Sequence, residues 1–359
     1  MYPKLIVDLD KLKHNLDWLT QRCHEKNIRV AVVTKVVCAD KKICALIDVS
    51  EADFFADSRI QNLASIDSDK PKQLLRITMQ SEVEEVVKYA NISMQSELET
   101  IRLLGSAAKK LNKRHGVILM IDMGDLREGI FFKDEAAIYS AAEAIIAEDN
   151  LDFVGVGVNL TCYGGIIPDE INVGGLVEFA KKLRLKYGVE LPIVSGGNSS
   201  MMTMLENDAI PLGITQLRLG ESFVLGNNTE TGEPMKQLNT DCFVLEAELV
   251  ELKHKPSKPI GTSGLNAFGE RVSFEDRGEM IRGILAIGRQ DVNPDGLLPV
   301  DKRVEILGAS SDHLIVNLTD CPEYRVGDTL KFIPDYGALL KLCTAERYVK
   351  REYVGGEEN

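Results

Sequence analysis

Eight short apolar runs alternate with segments of helical periodicity between residues 28 and 222, and this alternation constrains the fold more than any other feature. The runs are IRVAVVTK (28–35), ADFFADS (52–58), QLLRIT (73–78), ISMQS (92–96), VILMIDMG (117–124), FVGVGVNL (153–160), PIVSGG (192–197) and QLRLGES (216–222). Strands that alternate with helices form parallel βαβ units, so eight of them predict an α/β fold with a (β/α)8 TIM-type barrel. An open doubly wound sheet is the alternative, and the lack of a GxGxxG turn weighs against its dinucleotide-binding form.

The sequence changes in character after residue 225. GNNTETGEPMK is a polar connector with glycine and proline, and short strand-like runs spaced by turn signals follow it. These runs are CFVLEAELVELK, MIRGILAIG, RVEILGAS, HLIVNLT and TLKFIP. We therefore predict two domains, a barrel over residues 1–225 and a C-terminal all-β domain over residues 226–359. The early run LIVDLD (5–10) can pack with the second domain.

The composition argues against several classes of function. The formal net charge of −13 argues against nucleic-acid binding, because phosphate contacts need clustered cations. We find no apolar stretch long enough to span a bilayer, and we expect no membrane partner. Seven dispersed cysteines without a CxxC motif predict reduced thiols and a cytoplasmic protein. The five histidines show no metal-ligand spacing, so we expect no metal site.

Lys35 lies at the end of the first barrel run, where parallel barrels carry their active sites. One interpretation is a lysine whose stem packs on the barrel rim while its ammonium reaches water. The other is a lysine that bonds covalently to an aldehyde. Apolar surroundings disfavour the charged form of an amine, and a free amine can condense with an aldehyde.

The loop VSGGNSSMM (194–202) lies at a second strand end. Its two glycines expose backbone N–H groups, its two serines add hydroxyls, and a helical pattern follows, so it can bind an anion such as phosphate. A plain connecting loop is the alternative. Gly220, in RLGES, lies after the next strand, and barrels often bind phosphate with the loops after strands seven and eight.

Two arginines accompany these loops. Arg218 lies between Leu217 and Leu219, and strand alternation places it on the opposite face from those leucines, facing the barrel interior. A buried salt bridge is its alternative role. Arg127, in IDMGDLREG, lies after the fifth strand and could equally pair with an acid of its own loop.

An amine, a phosphate loop and two arginines together are groups that pyridoxal 5′-phosphate (PLP) requires. Over nearly its whole length the chain resembles the alanine racemase-type, fold-type III PLP family. The resemblance is strongest to the amino-acid racemase branch that includes ornithine racemases. It implies a PLP cofactor, a small amino-acid substrate and a head-to-tail homodimer in which the β domain of one chain closes the other's barrel mouth.

The resemblance implies a role for each residue that matches a family motif. Lys35, in AVVTKVV, matches the lysine that forms the internal aldimine and moves the α-proton on one face. Arg127 matches an arginine near the ring oxygen and the substrate carboxylate, and Asn159, in GVNL, stands where alanine racemases have a ring-contacting histidine. Arg218 matches the arginine that faces the pyridine nitrogen. Because arginine stays protonated, it gives that nitrogen no full proton, which favours racemisation over transamination.

The resemblance implies that four further residues bind the phosphate group of the cofactor. Ser199 matches the phosphate-binding serine, Gly220 and Glu221 offer backbone N–H groups, and Tyr336, in IPDYGALL, matches a tyrosine that reaches the phosphate. Two positions depart from the family pattern, Ala39 where alanine racemases have a tyrosine and Met120 where some members have a modified lysine.

The base on the opposite face of the substrate is a larger departure. Alanine racemases supply a tyrosine from the partner subunit, and Phe268, in NAFGE, stands at that position. Phenylalanine cannot take a proton, so another residue must do so or Lys35 serves both faces. Ser263, Cys162 and Tyr163 are candidates, and the sequence selects none of them.

Changes near the substrate entrance predict a substrate that is larger and more polar than alanine. Arg289, in IGRQDV, stands where alanine racemases have a tyrosine, and Asp312, in SSDHLIV, matches a partner-subunit aspartate or is only a turn residue. Asp312, Asp291 or Glu270 could bind a side-chain amine. We therefore predict a racemase of a basic amino acid, with ornithine ahead of lysine and with Arg127, Arg289 and Asp312 as substrate residues.

Two other functions remain open. A decarboxylase of the same fold type would need a cysteine-bearing C-terminal motif, and the surroundings of Cys343 in KLCTAERY do not match it. A non-catalytic PLP-binding homeostasis protein would resemble the barrel alone, so the second domain argues against that function.

Overall fold

The computed structural model describes residues 1–356, which contain ten α-helices and 17 strands. The chain divides into two compact units. One is Leu12–Thr240, and the other joins Met1–Lys11 to the chain from Asp241 onward. No helix within the described range is long and apolar enough to cross a membrane.

Strand β1 and helix α1 open the chain, and the barrel elements follow. The strands are β1 (Lys4–Asp8), β2 (Arg29–Val33), β3 (Phe54–Asp57), β4 (Lys72–Leu74), β5 (Ile92–Gln95), β6 (His115–Asp122), β7 (Ile130–Phe131), β8 (Leu151–Gly157), β9 (Ile193–Ser195) and β10 (Gln216–Leu219). The helices are α1 (Leu9–His24), α2 (Lys41–Asp48), α3 (Ile60–Ser65), α4 (Val83–Tyr89), α5 (Leu98–Lys110), α6 (Glu135–Ile146), α7 (Glu170–Tyr187), α8 (Met202–Glu206) and α9 (Glu221–Leu225).

Eight of these strands form a closed parallel barrel in the order β2, β3, β4, β5, β6, β8, β9 and β10. The last strand pairs with the first, with Arg218 opposite Ala31, so the sheet has no open edge there. Strands such as β2 and β3 are buried along nearly their whole length, because side chains fill the barrel on one face and helices cover the other. The predicted barrel is confirmed. The two-residue strand β7, which the sequence did not indicate, pairs with β6.

Local sequence signals explain where the helices begin and end. Helix α7 begins at a capping box, in which the Asp169 carboxylate accepts from Asn172 N at 2.7 Å and the Asn172 amide oxygen accepts from Asp169 N at 3.0 Å. It ends at Gly188, whose φ of 68° is left-handed and suits glycine.

The second unit is built on an antiparallel sheet, as predicted for the C-terminal domain. Its elements are β11 (Phe243–Pro256), β12 (Glu279–Leu285), β13 (Leu297–Pro299), β14 (Glu305–Ala309), β15 (Leu314–Asn317), β16 (Thr329–Pro334), α10 (Tyr336–Thr344) and β17 (Lys350–Val354). Strand β1 pairs antiparallel with β11 and parallel with β17. The sequence did not indicate the short strand β13, strand β17 or helix α10.

The compact units divide after Thr240, whereas the sequence places the boundary after residue 225. The connector between these points is bonded to the barrel unit, which explains the later division. Asn228 Nδ2 donates to Thr203 Oγ1 at 2.8 Å, and Asn239 N donates to Asn15 Oδ1 at 2.7 Å.

Candidate active site

Seven of the predicted site residues lie at or just beyond the C-terminal ends of barrel strands, or within the loop that follows one. In a parallel barrel these ends share one rim, so the fold brings the seven residues to the same end of the barrel. They are Lys35 after β2, Arg127 after β6, Asn159 after β8, Ser199 after β9, Arg218 within β10, and Gly220 and Glu221 directly after β10.

Lys35 begins a short 3-10 turn immediately beyond β2 and is partly buried. The turn is attached to the neighbouring strand through Thr34, whose hydroxyl donates to Asp57 Oδ2 at 2.7 Å. Asp57 also accepts from Asn62 Nδ2 at 3.1 Å. Burial raises the pKa of the Asp57 carboxyl, although the hydrogen bond from Thr34 opposes this. Thr34, which precedes the turn, is thus bonded to the last residue of β3. This bond fixes the backbone from which the Lys35 side chain extends.

Three donors converge on one oxygen atom at the Ser199 side chain. Ser199 Oγ accepts from Gly220 N at 3.3 Å, from Ser222 N at 3.1 Å and from the Ser222 hydroxyl at 3.0 Å. A Cβ atom at Gly220 would lie 3.1 Å from the Cβ of Val33, so the close approach of the chain here favours glycine. The rim thus contains a group of donors suited to the oxygens of an anion.

Arg218 is almost fully buried in the barrel interior, with 4% of its surface exposed. Gln216, on the same face of β10, donates to Gln73 Oε1 at 2.9 Å, and this bond joins two strands that are not neighbours. The guanidinium of Arg218 donates to Ser195 Oγ at 2.5 Å and to Val158 O at 2.6 Å. Desolvation lowers its pKa to about 10, so it stays protonated at neutral pH.

No carboxylate bonds Arg218 directly within the described residues. Its hydrogen-bonding partners are neutral oxygens, so the structure does not support the alternative of a buried salt bridge at this position. Because no directly bonded carboxylate among the described residues neutralises it, the positive charge of Arg218 can act on a group bound in the barrel interior.

Arg127 forms an ion pair with Glu128, one of the local acids that the sequence allowed as its partner. The other two acids of the loop bind backbone instead. Asp122 Oδ1 accepts from Gly124 N at 2.8 Å, and Asp125 Oδ2 accepts from Tyr163 N at 3.1 Å. Asp125 therefore joins the Arg127 loop to the loop that carries Cys162 and Tyr163.

The two polar atoms of the Asn159 side chain differ in their hydrogen bonding. Its Oδ1 accepts from Asn198 Nδ2 at 3.1 Å, and Asn198 Nδ2 also lies 3.3 Å from Cys162 Sγ. Asn159 is 8% exposed, and its own Nδ2 has no hydrogen-bond partner among residues 1–356. Ser200 Oγ, in the next loop, is likewise buried without a described partner. The rim therefore offers unused donors to a group that brings acceptors.

Three residues that organise the rim were not predicted from the sequence, namely Asp57, Asn198 and Ser222. Each belongs to one of the quoted runs or loops, at a strand end, but nothing local marks any of them. Their role depends on partners in another part of the chain, such as Thr34 for Asp57 and Ser199 for Ser222.

The remaining predicted residues belong to the second unit. Tyr336 is the first residue of α10 and is partly buried. Arg289 and Asp312 lie close together, because Arg289 N donates to Ser310 O at 2.8 Å. The Arg289 guanidinium also lies 5.2 Å from the centre of the Phe268 ring. Ser263, a candidate second base, is exposed on the segment that leads to Phe268.

Residues 7–227 match the family model described as "Alanine racemase, N-terminal domain". The chain belongs to the alanine racemase family. Over 356 residues it is 49% identical to an ornithine racemase of Acetoanaerobium sticklandii, which covers 99% of this chain and 100% of that protein. It is 37% identical to a lysine racemase of Thermotoga maritima, over 98% of this chain and 99% of that protein.

Solved structures of the family share the fold of this chain. An alanine racemase from Bartonella henselae with covalently bound pyridoxal phosphate matches with a TM-score of 0.74 and 18% identity, covering 99% of this chain and 100% of that one. An alanine racemase of Clostridium difficile matches with a TM-score of 0.70 at 18% identity, over 99% and 96% of the two chains. The predicted family and fold are confirmed.

Proposed function

We propose that this chain is a PLP-dependent amino-acid racemase that interconverts the enantiomers of a basic amino acid, ornithine ahead of lysine. The observation that carries the proposal is the end-to-end identity of 49% to a protein named ornithine racemase. A relative named lysine racemase, at 37% identity, supports the same class of substrate. A lysine on the same rim as a convergent donor group supports the cofactor.

The residues of the rim fit pyridoxal phosphate. Lys35 would hold the aldehyde covalently, while Ser199 with the backbone of Gly220 and Glu221 would bind the phosphate. The three donors that converge on Ser199 Oγ support this assignment, because the same donors suit phosphate oxygens. We assign Tyr336 to the phosphate from the family resemblance alone.

The same fit extends to the ring of the cofactor. Arg218 would face the pyridine nitrogen, Arg127 the ring oxygen, and Asn159 the ring itself. The buried, unpartnered Nδ2 of Asn159 supports this, because an acceptor on a bound group would satisfy it.

When bound, the cofactor supplies an electron sink for the pair left as the Cα–H bond breaks. The protein does the rest with its own side chains. Lys35 takes or returns the α-proton on one face. Arg218, which is charged and buried, stabilises negative charge in the barrel interior and keeps its own proton. The residue that serves the opposite face is not assigned, because Phe268 has no group that accepts a proton.

We assign the substrate carboxylate to Arg127 and Arg289, and we propose Asp312 as an acid near the substrate side chain. Guanidinium groups suit carboxylates because they can donate two parallel hydrogen bonds. The Arg127 side chain is 41% exposed, and among residues 1–356 its ion-pair partner is the adjacent Glu128, so one side of it remains open to a second anion.

We also propose a cytoplasmic head-to-tail homodimer with shared sites. The segment between β11 and β12 carries several exposed apolar side chains, which favours a protein contact over free solvent. They are Ile260, Leu265, Phe268, Val272 and Phe274, with exposed fractions between 40% and 91%. All seven cysteines lie within the described chain as free thiols, which fits a reducing compartment.

One incubation tests the proposed reaction. The PLP-loaded protein is mixed with a single enantiomer of ornithine in deuterated water. We expect optical rotation to fall to zero while deuterium enters the α-position. Unchanged rotation with no α-deuterium would refute the racemase, and release of carbon dioxide would instead identify a decarboxylase.

A further inference from the structure

Cys162 is an exposed thiol at the barrel rim. It lies in the loop after β8, whereas the other six cysteines, all within residues 1–356, are buried or partly buried. Asn198 Nδ2, in the loop after β9, lies 3.3 Å from Cys162 Sγ. Asn198 directly precedes Ser199, which is proposed to bind phosphate. The thiol therefore contacts the loop assigned to the cofactor, within the same compact unit.

The main chain around Cys162 is fixed although the side chain is exposed. The buried carboxylate of Asp125 accepts from Tyr163 N and from Gly164 N, each at 3.1 Å. Thr161, directly before the cysteine, has a φ of 72°, a left-handed conformation that a β-branched residue rarely adopts. Such backbone strain persists only where the surroundings impose it, and it is common at functional sites. The loop thus holds the Cys162 backbone in one place.

Both rim arginines respond to charge on Cys162. Burial lowers the pKa of Arg218 to about 10, and negative charge on Glu128 and Cys162 opposes that shift. Burial acts in the same direction on Arg127, but its hydrogen bond to Glu128, with a smaller contribution from Cys162, leaves the pKa of Arg127 raised. Because such effects fall off with distance, Cys162 belongs to the same polar cluster as the two arginines.

An unsatisfied donor belongs to this cluster. The Asn198 amide nitrogen that contacts Cys162 also donates to Asn159 Oδ1, at 3.1 Å. Asn159 is more than nine-tenths buried, and its Nδ2 has no hydrogen-bond partner among residues 1–356. A buried donor of this kind calls for an acceptor from a bound group. A group that satisfies Asn159 would therefore lie near the Cys162 thiol.

The strand order separates Cys162 from Lys35 in a useful way. Strands β9 and β10 lie between β8 and β2 around the barrel. Ser199 and Arg218, which are proposed to bind the cofactor, belong to the β9 and β10 part of the rim. Lys35 follows β2 on one side of them, and Cys162 follows β8 on the other. Two groups that act on opposite faces of one carbon need such flanking positions.

We infer that Cys162 moves the α-proton on the substrate face opposite Lys35. The inference rests on the proposed function and supplies the group that Phe268 cannot provide. In one direction Lys35 Nζ takes the proton from Cα. Cys162 then gives its proton to the other face: the S–H bond breaks, its electron pair stays on sulfur, and the pair left by the first proton forms the new C–H bond. In the other direction the Cys162 thiolate takes the proton and Lys35 returns one.

The decisive variant is Cys162→Ala, tested on each enantiomer of ornithine separately in deuterated water. In the PLP-loaded parent, both enantiomers should invert and gain α-deuterium. In the variant, racemisation should fall on the order of 10²-fold or more in both directions. One enantiomer should still gain α-deuterium without inversion, because Lys35 can remove and return a proton on its own face. The other enantiomer should lose exchange as strongly as it loses racemisation.

This asymmetry between enantiomers distinguishes a proton-transferring thiol from a structural one. Equal losses of exchange for both enantiomers, or unchanged racemisation, would overturn the inference. Failure of the proposed function has a different signature, because the parent enzyme would then not racemise ornithine at all.

Two further variants keep the test decisive. Cys162→Ser keeps the size of the side chain and replaces the thiol by a hydroxyl, which is a much weaker acid. It should show the same asymmetry, including the case in which Cys162→Ala does not fold. Tyr163→Phe changes the neighbouring exposed side chain of the same loop and should retain racemisation and both exchanges. Loss of one exchange in Tyr163→Phe, with both retained in Cys162→Ala, would assign the opposite face to Tyr163.

Alkylation locates Cys162 without relying on turnover. Iodoacetamide labelling of the Cys162 peptide is followed by mass spectrometry, in the free protein and in the PLP-loaded protein with racemic ornithine. At ligand concentrations about ten times their Kd, labelling should slow about tenfold, because the bound group covers the thiol. Cys23 and Cys44 should stay unlabelled in both forms, since burial raises the pKa of each thiol to about 12. An unchanged labelling rate at Cys162 would contradict its place beside the substrate.

Discussion

The barrel rim and the loop after β12 both contain buried polar atoms that have no hydrogen-bond partner among residues 1–356, but the atoms are of opposite kinds. At the rim the unsatisfied Asn159 Nδ2 is a donor, and the nearby Ser200 hydroxyl can donate. In the C-terminal unit the unsatisfied Asp291 Oδ2 is an acceptor with a negative charge. The rim is therefore suited to a group rich in acceptors, and the loop to a cation.

The two regions also differ in what their side chains need before a ligand arrives. The rim side chains are held by hydrogen bonds between uncharged groups, such as those from Gly220 N and Ser222 N to Ser199 Oγ. An unpaired neutral donor such as Asn159 Nδ2 lowers the free energy of unfolding by about 1–3 kcal/mol. A buried carboxylate such as Asp291 costs more. The buried carboxylate is thus the more costly of the two unpaired groups.

The largest effect should come from Lys35→Ala at the rim. Losing the proton-transferring amine should lower kcat/KM for ornithine on the order of 10³-fold or more. Covalent retention of pyridoxal phosphate after borohydride reduction should also disappear, as mass spectrometry of the Lys35 peptide would report. Lys41→Ala, at an exposed lysine on the next helix, should retain both properties. Retained covalent cofactor in Lys35→Ala would place the attachment on another lysine.

His115, at the other end of the barrel, contrasts with these unpaired groups because both of its ring nitrogens have hydrogen-bond partners. His115 begins β6, and its ring contacts Ser93 Oγ at 2.8 Å and Ala90 O at 3.2 Å. Desolvation lowers its pKa from the ordinary 6.5 to about 4. The folded state thus favours neutral histidine, and the associated stability is present above pH 6.5 and lost as the pH falls towards 4.

We expect this titration to remove about 3 kcal/mol of the free energy of unfolding between pH 7 and pH 4. Denaturant unfolding at several pH values measures it. His115→Gln should change the unfolding energy at every pH but reduce its slope over that window, while the exposed-site control His254→Gln keeps the parent slope. An identical slope in His115→Gln would mean that other groups carry the acid sensitivity.

The barrel could be predicted from the sequence because most barrel strands are buried on both faces, so apolar runs alternate with amphipathic helices. Short elements without such runs were missed. Strand β13 has three residues, and β17 is KREYV, whose charged residues obscure any apolar pattern. These strands form because pairing partners are already in place, which is a tertiary effect.

The site was predictable only in part, for a similar reason. Lys35 and Arg218 are marked by their positions at strand ends or within strands. Asp57 is not, because its role depends on Thr34, 23 residues away in sequence. Nor can sequence separate Asp291 from Asp312, since both are loop aspartates and only packing decides which one is buried.

A moderate effect is expected where the rim groups gather around Ser199. Ser199→Ala removes the oxygen that the three donors share and a hydroxyl proposed to bind phosphate. We expect the Kd for pyridoxal phosphate, measured by equilibrium dialysis, to rise about tenfold. Ser65→Ala, at an exposed serine of α3, should leave that Kd unchanged. An unaltered Kd in Ser199→Ala would assign the phosphate to other groups.

The smallest effect should come from Asp312→Asn, and it bears most directly on the comparison between regions. Asp312 is exposed, and hydrogen bonds from Ser310 and Ser311, together with the neighbouring His313, hold the pKa of its carboxyl below the usual value. Such a charge is already solvated, so a nearby ammonium gains little from it. We expect KM for ornithine to rise only about two- to threefold, and the rise should shrink as salt is added. A rise of about tenfold or more that salt does not reduce would instead mean that Asp312 contacts the substrate ammonium away from solvent.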